Sequence, residues 1–281
     1  MTRLFHQNMQ NYNGANAVRN ALFDNCFAAI QAKTAPDYLA AGFTEVRVAT
    51  VADITARAQA LDPALANAIV IEVGRTALAP RAENIGIAWN PGSLRVRHYG
   101  QVLYNSTIGQ WVCYNNACLN GPVPAALAMP NVGQLGADSR GLAYIAGDFA
   151  TRHVVIAFMH NMYSVGDRSI AFGQLWRMRD LVIHAIRASD PTDANTVWET
   201  YVGGDFNVDP STPGSSRATL RHAAAEYFNR NQGRYFYYNT TWFNTYDFWL
   251  TDTFCVNDQA EMAGDTRYQF ASDHSGIILK I

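Results

Sequence analysis

The sequence is nearly devoid of lysine. Of 21 basic residues only Lys33 and Lys280 are lysines, and the other nineteen are arginines. With 23 acidic residues the net charge is −2, which excludes a global basic field for holding nucleic acid nonspecifically. A GC-rich genome accounts for the arginine excess; a demand for planar, bidentate phosphate contacts is the second account. Cysteine is scarce too, with four residues in 281, which excludes a disulfide-stapled scaffold. Cys113 and Cys118 have no matching second pair, so a zinc site is not expected. They are the one pair spaced for a bridge, and the expectation is four free thiols.

Long apolar runs are also missing. None approaches the roughly 18 residues of a membrane-spanning helix, so no transmembrane segment is expected and the protein should be soluble. The first residues, Met1-Thr-Arg-Leu-Phe-His-Gln7, lack an apolar signal core. The expectation is a cytoplasmic protein, or one secreted without a visible signal peptide. No linker, charge block, low-complexity run or repeat interrupts the chain, so residues 1–281 should form a single domain.

What the chain has is apolar bulk: 49% hydrophobic and 12% aromatic residues, enough to fill a large core. Val18, Leu22, Cys26, Ala29 and Ile30 recur at helical spacing and predict an amphipathic helix over 15–33, followed by Pro36. A buried strand should run from Asp37 to Val46. Further strands are predicted near 84–90, 94–99, 142–147, 153–159, 199–205, 246–250 and 275–280. Asn90-Pro91-Gly92-Ser93 reads as a turn. Two more helices are expected, at 168–189, with Leu175, Trp176, Val182, Ala185 and Ile186 facing inward, and at 216–229. The weakly periodic stretch 100–141 should contain long surface loops. Hairpins joining several strands favour an α/β sandwich over a doubly wound sheet.

The segment Tyr201-Val-Gly-Gly-Asp-Phe-Asn-Val-Asp-Pro210 carries the clearest chemical signal. An apolar strand ends in two glycines and then offers Asp205 and Asn207. On an extended chain that spacing points both side chains to one face, an acid and an amide suited to holding a water against a phosphate. An Asx-rich turn after a strand is the plain alternative. Near the C-terminus, Phe270-Ala-Ser-Asp-His-Ser275 opens a strand with an Asp–His pair, in which one residue could bind a metal while the other moves a proton.

Together these segments resemble the endonuclease/exonuclease/phosphatase superfamily, which includes pancreatic deoxyribonuclease, abasic-site endonucleases, neutral sphingomyelinases and inositol-polyphosphate phosphatases. Five features match in order across nearly the whole chain. They are Asn8 in Gln7-Asn-Met-Gln10, Glu45 in Gly42-Phe-Thr-Glu-Val-Arg47, His160 ending Val154–His160, the unmodified Gly204-Asp-Phe-Asn207, and the unmodified Ser272-Asp-His274. Thr44 departs from the superfamily's usual Gln before the metal-binding Glu. Asp247 resembles the acid that orients the terminal His, with Asp252 as the alternative, and Glu83 resembles the acid behind the central His.

The resemblance implies a four-layer α/β/β/α sandwich of two packed mixed sheets and a metal-dependent phosphoesterase. Mg²⁺ is the expected ion, with Mn²⁺ or Ca²⁺ as substitutes, held by Glu45 with Asn8 and Asp273. Asp205 and Asn207 would orient water. His274, held by Asp247, would act as general base or stabilise the pentacovalent centre. His160, backed by Glu83, would clamp the phosphate or protonate the leaving oxygen.

Arg47, two residues after the metal Glu, resembles the deoxyribonuclease arrangement and points to DNA as partner and substrate. A phosphoinositide or lipid headgroup is the alternative, and a non-catalytic binding role on the same fold is a third reading. A toxin subunit or effector would suit either enzyme, and no protein partner is indicated. His184 and His222 within predicted helices, His6 before the first strand, and His98 and His153 without acidic neighbours are read as structural. The aromatic stretch 235–246 is read as packing, with base stacking or a lipid-facing surface as the alternative.

Overall fold

A computed structural model describes residues 2–34, 37–47, 49–76, 79–105, 108–118, 126–127, 140–161, 174–208, 234–236, 241, 246–251, 260–262 and 271–281. The strands are β1 (Arg3–Tyr12), β2 (Tyr38–Val46), β3 (Asn67–Thr76), β4 (Ala79–Trp89), β5 (Leu94–Asn105), β6 (Gln110–Ala117), β7 (Ala126–Leu127), β8 (Leu142–Phe149), β9 (Arg152–His160), β10 (Trp198–Asp205), β11 (Arg234–Phe236), β12 (Asp247–Thr251), β13 (Ala260–Met262) and β14 (Ile277–Lys280). The helices are α1 (Ala17–Thr34), α2 (Val51–Leu61) and α3 (Leu175–Ser189).

Two sheets form, in the orders β13-β14-β1-β2-β4-β3-β7 and β11-β12-β10-β9-β8-β5-β6. The parallel pairs are β1 with β2 and β3 with the short β7 in the first sheet, and β9 with β10 in the second; the other pairings are antiparallel. Period-two alternation sends the two faces of the first sheet to different cores. Leu4, Leu39, Ile69, Ile71, Ile85, Ile87, Ile277 and Leu279 join the core shared with the second sheet. Phe5, Ala41, Phe43, Val70, Ala88 and Ile278 pack instead with α1 and α2. The helix α3 covers the outer face of the second sheet along β6 and β5. The architecture is thus the four-layer α/β/β/α sandwich.

The face of α1 differs from its sequence reading. Phe23, Cys26, Phe27 and Ile30 are buried, with the Phe27 ring 5.5 Å from Phe5, whereas Val18 and Ala29 are exposed. Two phenylalanines and the i, i+4, i+7 spacing outweigh the smaller Val18 and Ala29 for the sheet-facing stripe. In α3 the buried positions are Leu175, Met178, Val182, Ile183 and Ile186, and Trp176 and Ala185 are only partly covered.

His6 lies within β1 rather than before it. Within 100–141, β5 continues to Asn105 and β6 pairs with it along eight positions, so part of that stretch is ladder rather than loop. The predicted helix 216–229, residues 168–173, Pro36, His222, Asp252 and Cys255 lie outside the described residues. The turn at 90–93 forms, with Ser93 N–H on Asn90 O (3.1 Å) and Gly92 N–H on Asn90 Oδ1 (2.9 Å). Cys26, Cys113 and Cys118 are free thiols.

Candidate active site

The parallel pairs β1–β2 and β9–β10 send their carboxyl ends to the same edge of the sandwich. Asn8 lies on β1 and Glu45 on β2, while His160 ends β9 and Asp205 ends β10. The double glycine before Asp205 has a packing cause. A Cβ at Gly203 would stand 2.7 Å from the Trp249 ring, and one at Gly204 would stand 2.1 Å from the Met159 carbonyl oxygen. Glycine there lets β10 lie close against β9 and β12, placing Asp205 opposite His160 and Asp247 in the ladders.

The side chains meet around a cavity of about 430 Å³ lined by Asn11, Glu45, Arg47, Arg140, His160, Asp205, Asn207, Thr241, Tyr246, Asp273 and His274. His274 Nδ1 donates to Asp247 Oδ2 at 2.7 Å, leaving Nε2 3.6 Å from Asp205 Oδ2 and 3.7 Å from Asp273 Oδ1. Burial opposes a charge on His274, but the Asp247 and Asp205 carboxylates outweigh it and push its pKa up to about 10. His160 Nδ1 lies 2.6 Å from the fully buried Glu83, and its Nε2 faces Glu45 at 3.4 Å and Asp205 at 3.7 Å. Thus two histidines, each backed by a buried acid, flank one pair of carboxylates.

Asp205 is held by two donors, Asn207 N–H at 2.9 Å on Oδ1 and Asn8 Nδ2 at 2.8 Å on Oδ2. Asn207 does not continue the strand. Its φ is 51°, and its amide donates to Asn161 O at 2.8 Å. The Asx turn, rather than an extended i, i+2 face, brings Asn207 beside Asp205, because the left-handed residue folds the chain back toward the acid. Four of the five described non-glycine residues with positive φ, Gln10, Asn11, Glu45 and Asn207, are in or beside this cavity. Backbone strain is thus concentrated where the carboxylates are aimed.

Asn8 stands among the carboxylates, but its oxygen is engaged elsewhere. Oδ1 accepts from Gln10 N–H at 2.8 Å, and Nδ2 donates to Glu45 Oε1 at 3.1 Å as well as to Asp205. Reversing the amide would set N–H against N–H and oxygen against two carboxylates, so the hydrogen bonds fix its orientation. In this arrangement Asn8 braces both carboxylates. Glu45 accepts a second bond from Asn11 N–H at 3.0 Å. Burial raises the Glu45 pKa, but His160 and the Asn8 bond outweigh it, and the net direction is down.

The superfamily that the sequence resembles implies a divalent cation, and the donor set suits one. The Glu45 and Asp205 carboxylates and the His160 ring offer ligand atoms within 4.8 Å of one another. Asp273 Oδ1 is buried without a hydrogen-bond partner, and burial raises its pKa against the opposing pull of His274. Hard oxygen donors and an orphaned carboxylate oxygen at one cavity fit Mg²⁺.

Arg140, Asn161 and Asn11 are at the site but escaped the sequence reading. Arg140 is buried, with one guanidinium nitrogen 2.9 and 2.7 Å from the two His160 ring nitrogens and 3.2 Å from Asn161 O. Asn161 ties the strand ends together, its N–H on Asp205 O (2.8 Å) and its amide on Phe206 O (2.8 Å). The neighbouring His160 was a signal for Asn161; no motif marked Arg140.

The remaining histidines are placed as follows. His98 and His153 do have acidic neighbours in space, Asp193 at 3.2 Å and Asp148 at 3.0 Å, contrary to their reading from sequence. Strand pairing and the turn at 190–193 create these contacts at the end of the second sheet opposite the cavity. Arg97 occupies the centre of that cluster, bound to Asp193 at 2.8 Å and to Asp148 at 3.1 Å.

No protein-family model matches the sequence, and no curated protein matches it. Solved structures do. An endonuclease/exonuclease/phosphatase from Bacteroides vulgatus aligns at TM-score 0.59 and 15% identity, over 98% of this chain and 96% of that one. A Bacteroides thetaiotaomicron mannosyl-6-phosphatase aligns at 0.53 and 13%, over 100% and 99%. The D. rerio TDP2 complexed with a single-strand DNA product aligns at 0.51 and 11%, over 99% and 97%. At such identities the likeness shows the fold, which is that of the endonuclease/exonuclease/phosphatase superfamily.

Proposed function

We propose, on the endonuclease/exonuclease/phosphatase fold that this chain carries, that the cavity is the centre of a Mg²⁺-dependent phosphoesterase, with DNA phosphodiester cleavage as its leading activity. One observation carries the reading. Glu45, Asp205, Asp273 and the acid-backed His160 and His274 converge on one cavity. Glu45 and Asp273 would hold the ion, with Mn²⁺ or Ca²⁺ as substitutes. When bound, it supplies charge neutralisation at the phosphate and leaving oxygens.

The protein's own groups account for the remaining steps. Asp205, with its carboxylate fixed by Asn207 and Asn8, orients the attacking water and accepts its proton. His274 anchors Nδ1 on Asp247 and turns Nε2 toward the phosphoryl group, where it stabilises the charge that develops on the oxygens. On the other side His160, backed by Glu83 and lying against Arg140, clamps the phosphate and serves the leaving oxygen. Holding water and phosphate between these two walls is the positioning that an in-line displacement requires.

Arg47 and Arg140 both line the cavity, and two cations flanking the centre suit a polyanion. The DNA product named with the TDP2 relative supports the nucleic-acid reading. The mannosyl-6-phosphatase supports a phosphomonoesterase on the same fold, which keeps a phosphoinositide phosphatase or sphingomyelinase-like enzyme as the second reading. A binding-only role would not need two buried acid–histidine pairs. The test is a parallel assay with Mg²⁺ of supercoiled-plasmid nicking and phosphate release from phosphoinositides. Nicking alone supports the nuclease, phosphate release alone assigns the second reading, and neither with folded protein defeats the phosphoesterase proposal.

A further inference from the structure

The acid that holds His274 has a second histidine behind it. His6, fully buried on β1, lies with Nδ1 3.7 Å from Asp247 Oδ1 and Nε2 3.1 Å from Thr44 Oγ1. Its ring is stacked on Phe158 with centroids 6.2 Å apart, so it cannot turn freely. Nδ1 has no hydrogen-bond partner and is enclosed. The chemistry of the neighbours selects the tautomer. With the proton on Nε2, the Nδ1 lone pair would face the Asp247 carboxylate in a dry interior. With the proton on Nδ1, an N–H points at that carboxylate and Thr44 donates its hydroxyl to Nε2. Thr44 is also where the motif around Glu45 departs from the superfamily's Gln.

We propose that His6 is a positioning residue, its Nδ1–H directed by Thr44 at Asp247 so that the carboxylate stays aligned with His274. The role rests on reading the cavity as a phosphoesterase centre. The order is Thr44 to His6 to Asp247, with His274 on the acid's other oxygen at 2.7 Å. At 3.7 Å the His6 contact is electrostatic rather than a full hydrogen bond. Its effect is to favour one carboxylate orientation, and catalytic contacts of this kind tighten when substrate binds. Burial keeps the His6 ring neutral, its pKa held down to about 3, which is consistent with a fixed dipole rather than a titrating group.

The test uses two amides of matched chemistry. In His6→Asn the amide nitrogen can stand where Nδ1 stood; in His6→Gln it reaches toward Thr44 instead. Histidine-labelled NMR of the metal-free protein reads the imidazole tautomer of His6 and the Nδ1 proton of His274 without any substrate. The wild-type protein should show the Nδ1–H tautomer at His6 and a downfield His274 Nδ1 proton. His6→Asn should keep that resonance and kcat within about threefold, and His6→Gln should lose or shift it, with kcat down about tenfold and KM little changed. An Nε2–H tautomer in the wild-type protein overturns the proposal, even if no variant folds. Equal loss in both variants, or no change in His6→Gln, also overturns it. Because the tautomer and the resonance need no turnover, an error about the substrate would leave this test intact.

Discussion

Glu83→Gln separates a catalytic brace from a structural ion pair, because it should lower activity while leaving stability nearly unchanged. Glu83 is fully buried, and one oxygen lies 2.6 Å from His160 Nδ1 while the other, Oε2, is buried without a hydrogen bond. The amide keeps the shape and one acceptor but removes the charge. A charge-assisted bond is about twice as strong as a neutral one, so roughly 1–1.5 kcal/mol of support for His160 is lost. If that support acts on the transition state, kcat should fall about tenfold. Folding should change little, because the substitution also relieves the desolvation of a buried carboxylate with an unpaired oxygen. Initial rates of Mg²⁺-dependent plasmid nicking beside guanidinium unfolding give both quantities. Destabilisation above about 2 kcal/mol with proportionate activity loss, or full activity, would refute the assignment.

Other outcomes follow from the same geometry. Asp193→Ala should cost about 2–4 kcal/mol, read by urea unfolding, because Arg97 and His98 lose a buried partner; activity should persist, since the cluster lies away from the cavity. Ala150, at φ 52° in the two-residue β8–β9 turn, occupies the position of a type II′ turn that favours glycine. Ala150→Gly should add about 0.5–1 kcal/mol, seen as a higher melting temperature with unchanged rates. His6, held down to about 3, stays neutral in the folded protein while the unfolded chain takes up a proton below its ordinary 6.5. Stability should therefore fall by up to about 1.4 kcal/mol per pH unit as pH drops from 6.5 toward 3, relative to His6→Gln. Denaturation curves at several pH values for both proteins check the slope.

Much of the frame was legible because buried strands declare themselves by apolar runs; β2, β8 and β9 are of that kind. The helix α2 was overlooked although Thr50 and Asp53 form a capping box at its start and Ile54, Ala58 and Leu61 recur at helical spacing. β3 was overlooked despite Ala68-Ile-Val-Ile71, and β6 despite Trp111-Val-Cys-Tyr114, on an edge strand whose burial does not alternate.

At the site, motif residues were nameable because their chemistry is tied to fixed local sequence. Their geometry was not, since the left-handed turns at Glu45 and Asn207 depend on strand pairing across the sheet. Arg140 and the His6–Asp247 approach are products of tertiary contact between segments 20 and 241 residues apart in sequence. No local pattern encodes such separations.

The most direct measurement is nicking of supercoiled plasmid by the wild-type protein with Mg²⁺, by the same protein in EDTA, and by folded His274→Ala with Mg²⁺. Nicking is expected in the first case only, with the variant reduced at least about a hundredfold. Nicking that survives EDTA, or a His274→Ala variant as fast as the wild-type protein, would contradict a metal-dependent centre built around Asp247 and His274.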